Sequence, residues 1–540
     1  MEQRKSQYLV QGSILAIASI ITRIIGMLYK IPMTTMIGSE GMAYYNTAYE
    51  IYSIVLILSS LSVPLALSKL ISAREQNKEY KTSGRIFRLT MLLSCVTGGT
   101  ASLVIWFGAD FFAEMTGYPS AKYPLRILAP TIFVVAVMGV LRGFFQGRKT
   151  MVPTAVSQII EQIVNAIISI LAAYLMMRSL RLDGPKAAMG AAGGTLGTLC
   201  GAVAGALFLG FAYYLNRDYV KRKIAQDVNS KEESSYVLMK SICLTLFPII
   251  LSQTVYQISG ILDIGIFGNY MESIGVAESQ SAVLQEAYTN KYRQLTNVPV
   301  AIASALSAAI VPSLTASYQE RNVLEMKKKI HSSIKMNMII AFPSAVGMAI
   351  LGPQLISLLY KDFSTLSGNL LRIGSVAIVF FAYSTMTNGI LQGIGKLRTP
   401  VIHAGVSLVI HVGMLYFMLY VLKLSVYAMV IGNVSFAFII CLLNWISIQQ
   451  AVGYRQEIKT SFVFPAIASL IMGVITYATY HGLYLLVPSM LVCTCVAVLT
   501  AIAAYFVILM LLKTLTKEEL MDYPMGARIY RLCKKIKLMK

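Results

Sequence analysis

The sequence predicts an all-α polytopic membrane protein of about fourteen transmembrane helices, and three observations carry that prediction. Of its 540 residues, 56% are hydrophobic and only 13% charged, with a mean hydropathy of +0.66. A soluble chain of this length divides into several domains and needs more polar surface than this to coat them. Apolar runs of roughly 20 residues also recur from end to end without the short alternation of barrel strands, and backbone groups in hydrocarbon must pair internally, so the runs read as helices. The connectors, finally, are short and basic, with a regular charge bias.

Taken in order, the first run, 9–29, follows Arg4 and Lys5 and so resembles a signal peptide. No small-residue cleavage site follows and Arg23 interrupts its core, which makes it the first membrane helix. Runs 43–69 and 87–109 flank the basic stretch Arg74 to Arg88; 124–146 and 153–177 come next, then 188–215. The linker Arg217 to Lys240, with Asp227, Asn229, Ser230 and Lys231-Glu232-Glu233, leads into 238–268. Runs 291–318 and 333–352 bracket Arg321 to Lys335, followed by 369–391, 400–422, 424–449, 460–482 and 488–512, and a basic tail from Lys513 to Lys540. With the N-terminus in the cytoplasm, 34 of the 46 Lys and Arg fall on cytoplasmic ends and loops and 11 on the outer side, leaving Arg23 within a span. Both termini are thus expected inside, and the outer connector bearing Arg178, Arg181 and Lys186 is the one local violation.

The chain repeats itself. Leu125-Arg126-Ile127 returns as Leu371-Arg372-Ile373, and Gly143-x-x-Gln146-Gly147 as Gly389-x-x-Gln392-Gly393, both 246 residues on, while Pro64 pairs with Pro312. Equivalent positions fall at equivalent helix ends on one side of the membrane, which makes the halves parallel repeats. The expected organisation is a six-helix bundle over 1–216, a cytoplasmic linker over 217–237, a second six-helix bundle over 238–450, two further helices over 451–513 and the tail over 514–540. Transporters of this design place substrate between halves and alternate access by rocking them. Proline within spans, at Pro130, Pro248, Pro299 and Pro312, supplies bends or is tolerated in ordinary packing.

Several function classes drop out. The net charge of +22 sits beside helix ends rather than on a basic domain, which argues against nucleic acid. Seven cysteines are scattered with no ligand spacing and read as packing residues. Gly393-Ile394-Gly395-Lys396 lacks the spacing and the following Ser/Thr of a phosphate loop, so no nucleotide or other cofactor is expected, and a Na+ or H+ gradient, the membrane potential, a partner or the substrate must supply energy. His403 and His411, eight residues apart on about one helix face, line a polar cavity or pack as satisfied core histidines. The connector with Glu272, Glu278 and Glu286 reads as a solvated loop, and the tail reads as a solvated segment that also hugs anionic lipid.

Charged residues inside spans are the stronger signal, because a charge at that depth is costly unless it faces protein or water. Arg23, Glu50, Arg126, Asp263, Arg293 and Arg372 fall in the outer half of the membrane by this topology; Glu161, with Gln162 and Asn165, lies nearer the inner side. Four cations near one level can line a cavity that attracts an anionic head group such as a pyrophosphate, for which the arginine fork is suited. Alternatively Arg126, Arg293 and Arg372 snorkel to the interface while Glu50 and Asp263 neutralise neighbours. The recurrence of Arg126 as Arg372 argues for a shared architectural role.

Thr22-Arg23-Ile24-Ile25-Gly26, Leu125-Arg126-Ile127-Leu128-Ala129-Pro130, Arg142-Gly143-Phe144-Phe145-Gln146-Gly147 and the run from Met151-Val152-Pro153-Thr154 to Glu161-Gln162 resemble the polysaccharide-biosynthesis exporters of the stage V sporulation protein B type. That group belongs with the lipid II flippases and the multidrug and toxin extrusion transporters of the MOP exporter superfamily. The resemblance implies a V-shaped pair of bundles that flips an undecaprenyl-pyrophosphate-linked saccharide across a bacterial cytoplasmic membrane, as a monomer and without covalent chemistry. The lipid tail would lie in a groove contributed by the last two helices. Arg23 matches an arginine important in the first helix of the lipid II flippases, with Thr22 in place of Ser, and Arg293 matches one at the start of their eighth helix within one residue of register. Where those flippases carry an Arg-Asp pair, this chain has Tyr29-Lys30. Arg23, Lys30, Arg293 and Glu50 are therefore the candidate substrate-binding residues, and Asp263 and Glu161 the candidates for coupling or gating. The rival reading is a cation-coupled multidrug exporter, whose cavity should hold more carboxylates than cations.

Overall fold

The computed structural model describes residues 2–178, 184–227, 229–230, 233–512 and 514. Arg181, Lys231, Glu232 and the basic tail beyond Thr514 lie outside them. The described residues are helical, with no strand among them. In chain order the helices are α1 Glu2–Leu56, α2 Val63–Gln76, α3 Tyr80–Met115, α4 Lys122–Gly147, α5 Val152–Arg178, α6 Lys186–Ala225, α7 Ser235–Ser273 and α8 Glu278–Glu286. They continue as α9 Arg293–Gln319, α10 Val323–Tyr360, α11 Thr365–Gly374, α12 Ala377–Gly393, α13 Thr399–Tyr416, α14 Val426–Val452, α15 Phe464–Leu486 and α16 Met490–Leu511. π-helical turns occupy Ile57–Leu61, Ala287–Tyr292, Phe417–Val421 and Lys459–Val463.

Among the described residues ten stretches are long and apolar enough to cross a bilayer, or eleven if α11 and α12, bent by 42°, form one span. This is a multi-pass membrane protein. The sequence predicts fourteen spans, and part of the difference has an identifiable source. Ile21–Gln76 counts once although it is 56 residues long, whereas the sequence divides that region into two runs. Within α1 the break is Gly38, whose φ of 74° and ψ of 174° are accessible to glycine alone. The chain reverses there: the hydroxyls of Tyr29 and Tyr45 meet at 3.0 Å, whereas sixteen residues of straight helix would hold them about 24 Å apart.

The chain forms two compact units, Met1–Glu286 and Ala287–Lys540. In the first, α6 packs on α5 through a glycine at every fourth position. A Cβ at Gly193 would stand 2.6 Å from the backbone of Ala172, and one at Gly201 would stand 2.5 Å from the Glu161 carbonyl oxygen. Small residues at this spacing let helix backbones approach without a hydrophobic driving force. α4 sits on α2 in the same way, with Gly143 against Pro64 and Leu67 and Gly147 against Ile71. The sister glycines of the second unit repeat the arrangement, Gly389 against Ser307 and Gly393 against Leu314 of α9. In that unit α15 and α16 close on α10, where Gly473 faces Val346 and Ile350 and the Tyr505 hydroxyl donates to the Ile339 carbonyl at 2.8 Å.

α7, placed in the second repeat by the sequence, packs within the first unit. Its Gly268 lies against Thr116, Gly117 and Tyr118, and Asn269 donates to the Met115 carbonyl at 3.0 Å. The connector after it corrects an expectation. α8 is docked rather than solvated: Glu278 accepts from the Ser120 backbone N–H at 2.9 Å, Gln285 donates to Thr47 at 3.1 Å, and Glu286 is fully buried. Its buried residues Ser281, Ala282, Gln285 and Glu286 fall at helical spacing, so one acidic-looking stretch carries an inward face.

On the linker, Asp227 and Ser230 cap a helix far from them in sequence. Glu79, at the start of α3, makes no side-chain cap. Instead the Asp227 carboxylate accepts from the backbone N–H of Lys81 at 2.5 Å, and the Ser230 hydroxyl from that of Thr82 at 3.2 Å. Against the penalty of burial, the Lys81 amide, the Ser230 hydroxyl and amide and the Asn229 amide lower Asp227 to about 2.

Candidate substrate-binding site

Arg23 and Lys30 are seven residues apart on α1, two helical turns, and so share a face. Gly26 between them lies against α5, where its Cβ would stand 3.2 Å from Gln162 Nε2. Arg23 is exposed, and no described residue bonds to it. Lys30 is half-buried, its ammonium 5.6 Å from the ring centroid of Tyr45 and 6.0 Å from that of Tyr49.

Those rings are anchored through their hydroxyls. Tyr45 shares a hydrogen bond with Tyr29 at 3.0 Å and Tyr49 one with Thr198 at 2.7 Å. Thr198 and Ser169 both donate to Asn165 Oδ1, at 3.5 and 2.8 Å, and Ser169 also reaches the Gly194 carbonyl. The network joins both limbs of α1 to α5 and α6. Of its members, the sequence points to Tyr29, beside Lys30, and to Asn165. The tyrosines carried a signal, since 45, 49 and 52 follow helical spacing, but that pattern alone does not say which helix opposes them.

The acidic candidates separate. The Glu50 carboxylate lies against Gly260 of α7, 2.8 Å from where a Cβ would be, and Asp263, one turn further along α7, is buried. Glu161 is held elsewhere: Arg142 donates to it at 2.6 Å and to Ser157 at 3.2 Å, which ties α4 to α5 inside the motif that carries the family resemblance.

Arg293 belongs to the second unit, at the first position of α9 directly after a π-helical turn, 6.0 Å from the ring centroid of Tyr288. π-turns occur often at functional sites. Within this one, Lys291 is buried and paired with Asp362 at 2.9 Å, and Asp362 also accepts from the Ser364 backbone and the Ser367 hydroxyl. Against the penalty of burial, these partners lower Asp362, in the α10–α11 connector, to about 2. No sequence pattern joins Lys291 to Asp362, 71 residues further along the chain.

Arg126 and Arg372 do not share surroundings, contrary to the expected common role. Arg126 pairs with Asp110, which also binds Lys122 at 3.0 Å, whereas Arg372 is exposed with no ion pair among the described residues. α4 runs unbroken past Arg126, while the equivalent stretch bends between α11 and α12. His411 is buried against the Gly432 carbonyl at 2.9 Å, and His403 bonds Asn444 at 2.7 Å and Ser447 at 3.1 Å, so both are engaged by α14.

Glycine-mediated helix contacts repeated in two units, with cations inside apolar helices, mark a polytopic helical membrane protein rather than a single-helix anchor. The chain belongs to the polysaccharide biosynthesis protein family, which it matches over residues 9–318, and it matches the MatE family over residues 248–417. It is 27% identical to the lipid II flippase MurJ of Bacillus subtilis (strain 168) over 491 residues, 87% of this chain and 88% of that protein. It is 22% identical to the stage V sporulation protein B of the same organism over 543 residues, 97% and 99% of the two chains. The fold is also similar to that of an inward-facing multidrug resistance MATE family transporter of the MOP superfamily, with a TM-score of 0.65 and 19% identity over 79% of this chain and 95% of that one.

Proposed function

We propose that the chain flips a polyprenyl-pyrophosphate-linked saccharide across the cytoplasmic membrane of a bacterium by alternating access, without forming or breaking a covalent bond. The observation that carries this reading is the cationic face of α1: Arg23 exposed, Lys30 two turns on against tyrosine faces, in a chain similar to a lipid II flippase along most of its length. A pyrophosphate presents several oxygens to such a face, and charge-assisted bonds from a guanidinium fork and an ammonium are the stronger kind. In this reading Arg293 is a further substrate-binding cation, Glu50 borders the head group, and Asp263 or Glu161 binds a coupling Na+ or H+ or gates. Both termini lie in the cytoplasm, as the positive-inside bias supports.

Arg23→Ala tests the proposal. The variant should reach the membrane and lose flipping of a fluorescent lipid-linked saccharide in proteoliposomes by about 10- to 100-fold, the value of a charge-assisted hydrogen-bonded contact. Normal flipping by this variant would count against the assignment. The match to the MatE family over residues 248–417 favours a second reading, a cation-coupled multidrug exporter. Raised drug resistance on overexpression, with no lipid-linked precursor accumulating on depletion, would select it.

A further inference from the structure

α5 gathers its polar residues on one side. Ser157, Glu161, Asn165 and Ser169 follow one another at four-residue spacing, with Gln158 and Gln162 in the row beside them, while the exposed apolar row Ile163, Ile167, Leu171 and Tyr174 occupies the opposite side. The first four are spent within the unit: Arg142 donates to Ser157 and Glu161, and Ser169 donates to Asn165. The glutamines are not. They stand one turn apart, both half-buried, no described residue hydrogen-bonds to either amide, and Gln158 Oε1 is fully enclosed. An amide without a partner is costly in a membrane span, so two of them stacked on the side turned from lipid mark a surface made for a polar ligand.

The helix register brings these amides to Arg23. Gln162 Nε2 lies 3.2 Å from where a Cβ of Gly26 would be, and further along a Cβ at Gly190 of α6 would meet Ile37 of α1 and Met177 of α5 together at 2.9 Å, so α1 and α5 run side by side in the same direction. Arg23, three residues before Gly26 and on its side of α1, therefore stands between the levels of Gln158 and Gln162. We infer that Gln158 and Gln162 bind the first sugar of the lipid-linked saccharide while Arg23 holds the pyrophosphate. The inference rests on the proposed function and deepens it from the phosphate to the sugar. That sugar is bonded directly to the pyrophosphate, which puts it within reach of groups flanking the guanidinium. Sugar hydroxyls both donate and accept, and so does a carboxamide, which pairs with them without a charge of its own.

The experiment measures the Kd of the full-length protein in detergent for two probes, lipid II and sugar-free undecaprenyl pyrophosphate. Gln158→Ala and Gln162→Ala should each weaken lipid II binding about 3- to 10-fold, the range of one lost hydrogen bond, and weaken undecaprenyl pyrophosphate less than about 2-fold, the second probe also reporting that the variant is folded. Arg23→Ala should weaken both probes. Equal losses for the two probes, or no loss for either, would reduce the glutamines to packing residues and overturn this inference while leaving the proposed function standing. Absence of binding of both probes by the unsubstituted protein overturns both.

Discussion

Buried charge is tolerated here where partners surround it. Lys291 is 4% exposed, and its carboxylate partner Asp362 also accepts two bonds from Ser364 and Ser367, so removing the lysine alone strands an acid among groups arranged for an ion pair. Lys291→Ala should destabilise the second unit by about 3–5 kcal/mol, and Asp362→Asn, which keeps a hydrogen-bonding group, by less. Thermal unfolding in detergent measures both. Asp227 gives a pH-dependent counterpart. Its folded value is lowered to about 2, below that of an unfolded aspartate near 4, so its contribution is complete above pH 4 and fades as pH falls through 2. The stability gap between the protein and Asp227→Asn should therefore be largest at neutral pH and close as pH falls from about 4 to 2. Individual charges inside apolar runs were legible in the sequence as exceptional; their partners were not. Arg142 and Glu161 stood in one recognisable motif, yet only the packing of α4 on α5 joins them.

At the scale of the helix, glycine decides where backbones meet and where they turn. Gly38→Ala should disrupt the reversal of α1, because a side chain at φ 74° and ψ 174° is strained by about 1–3 kcal/mol even though the space around it is open. Gly197→Leu should be worse, since any Cβ there overlaps Ser169 of α5, and its membrane yield should fall below that of a leucine at Gly210, where nothing lies within 4 Å. Fluorescence-detected size-exclusion of tagged variants distinguishes the two glycine classes. The spacing 193, 197, 201, 205 is visible in the sequence, and so is the doublet at 143 and 147 with its sister at 389 and 393. Which neighbour each face meets is a tertiary fact. The same holds for α8, whose acidic residues suggest solvent while its buried row follows a helical period too short to detect in nine residues.

For the whole molecule, hydropathy alone carried the class: a chain this apolar, with basic connectors, spans membranes many times over, and the all-helical structure agrees. The span count was less legible, because a run of 56 residues and a bent helix pair blur what one crossing means. The topology makes its own prediction. A phosphatase or fluorescent reporter placed after Lys540, and one within the linker at Asn229, should both report the cytoplasmic side.

The capping of α3 by Asp227 and Ser230 bears on how this polypeptide can be dissected. A fragment ending at residue 216, where hydropathy suggests a natural cut, would leave the first amides of α3 without those acceptors and strip α7 from its neighbours. One ending at 286 would keep both, so of two truncations chosen for separate production, the longer should be the one recovered intact after protease challenge.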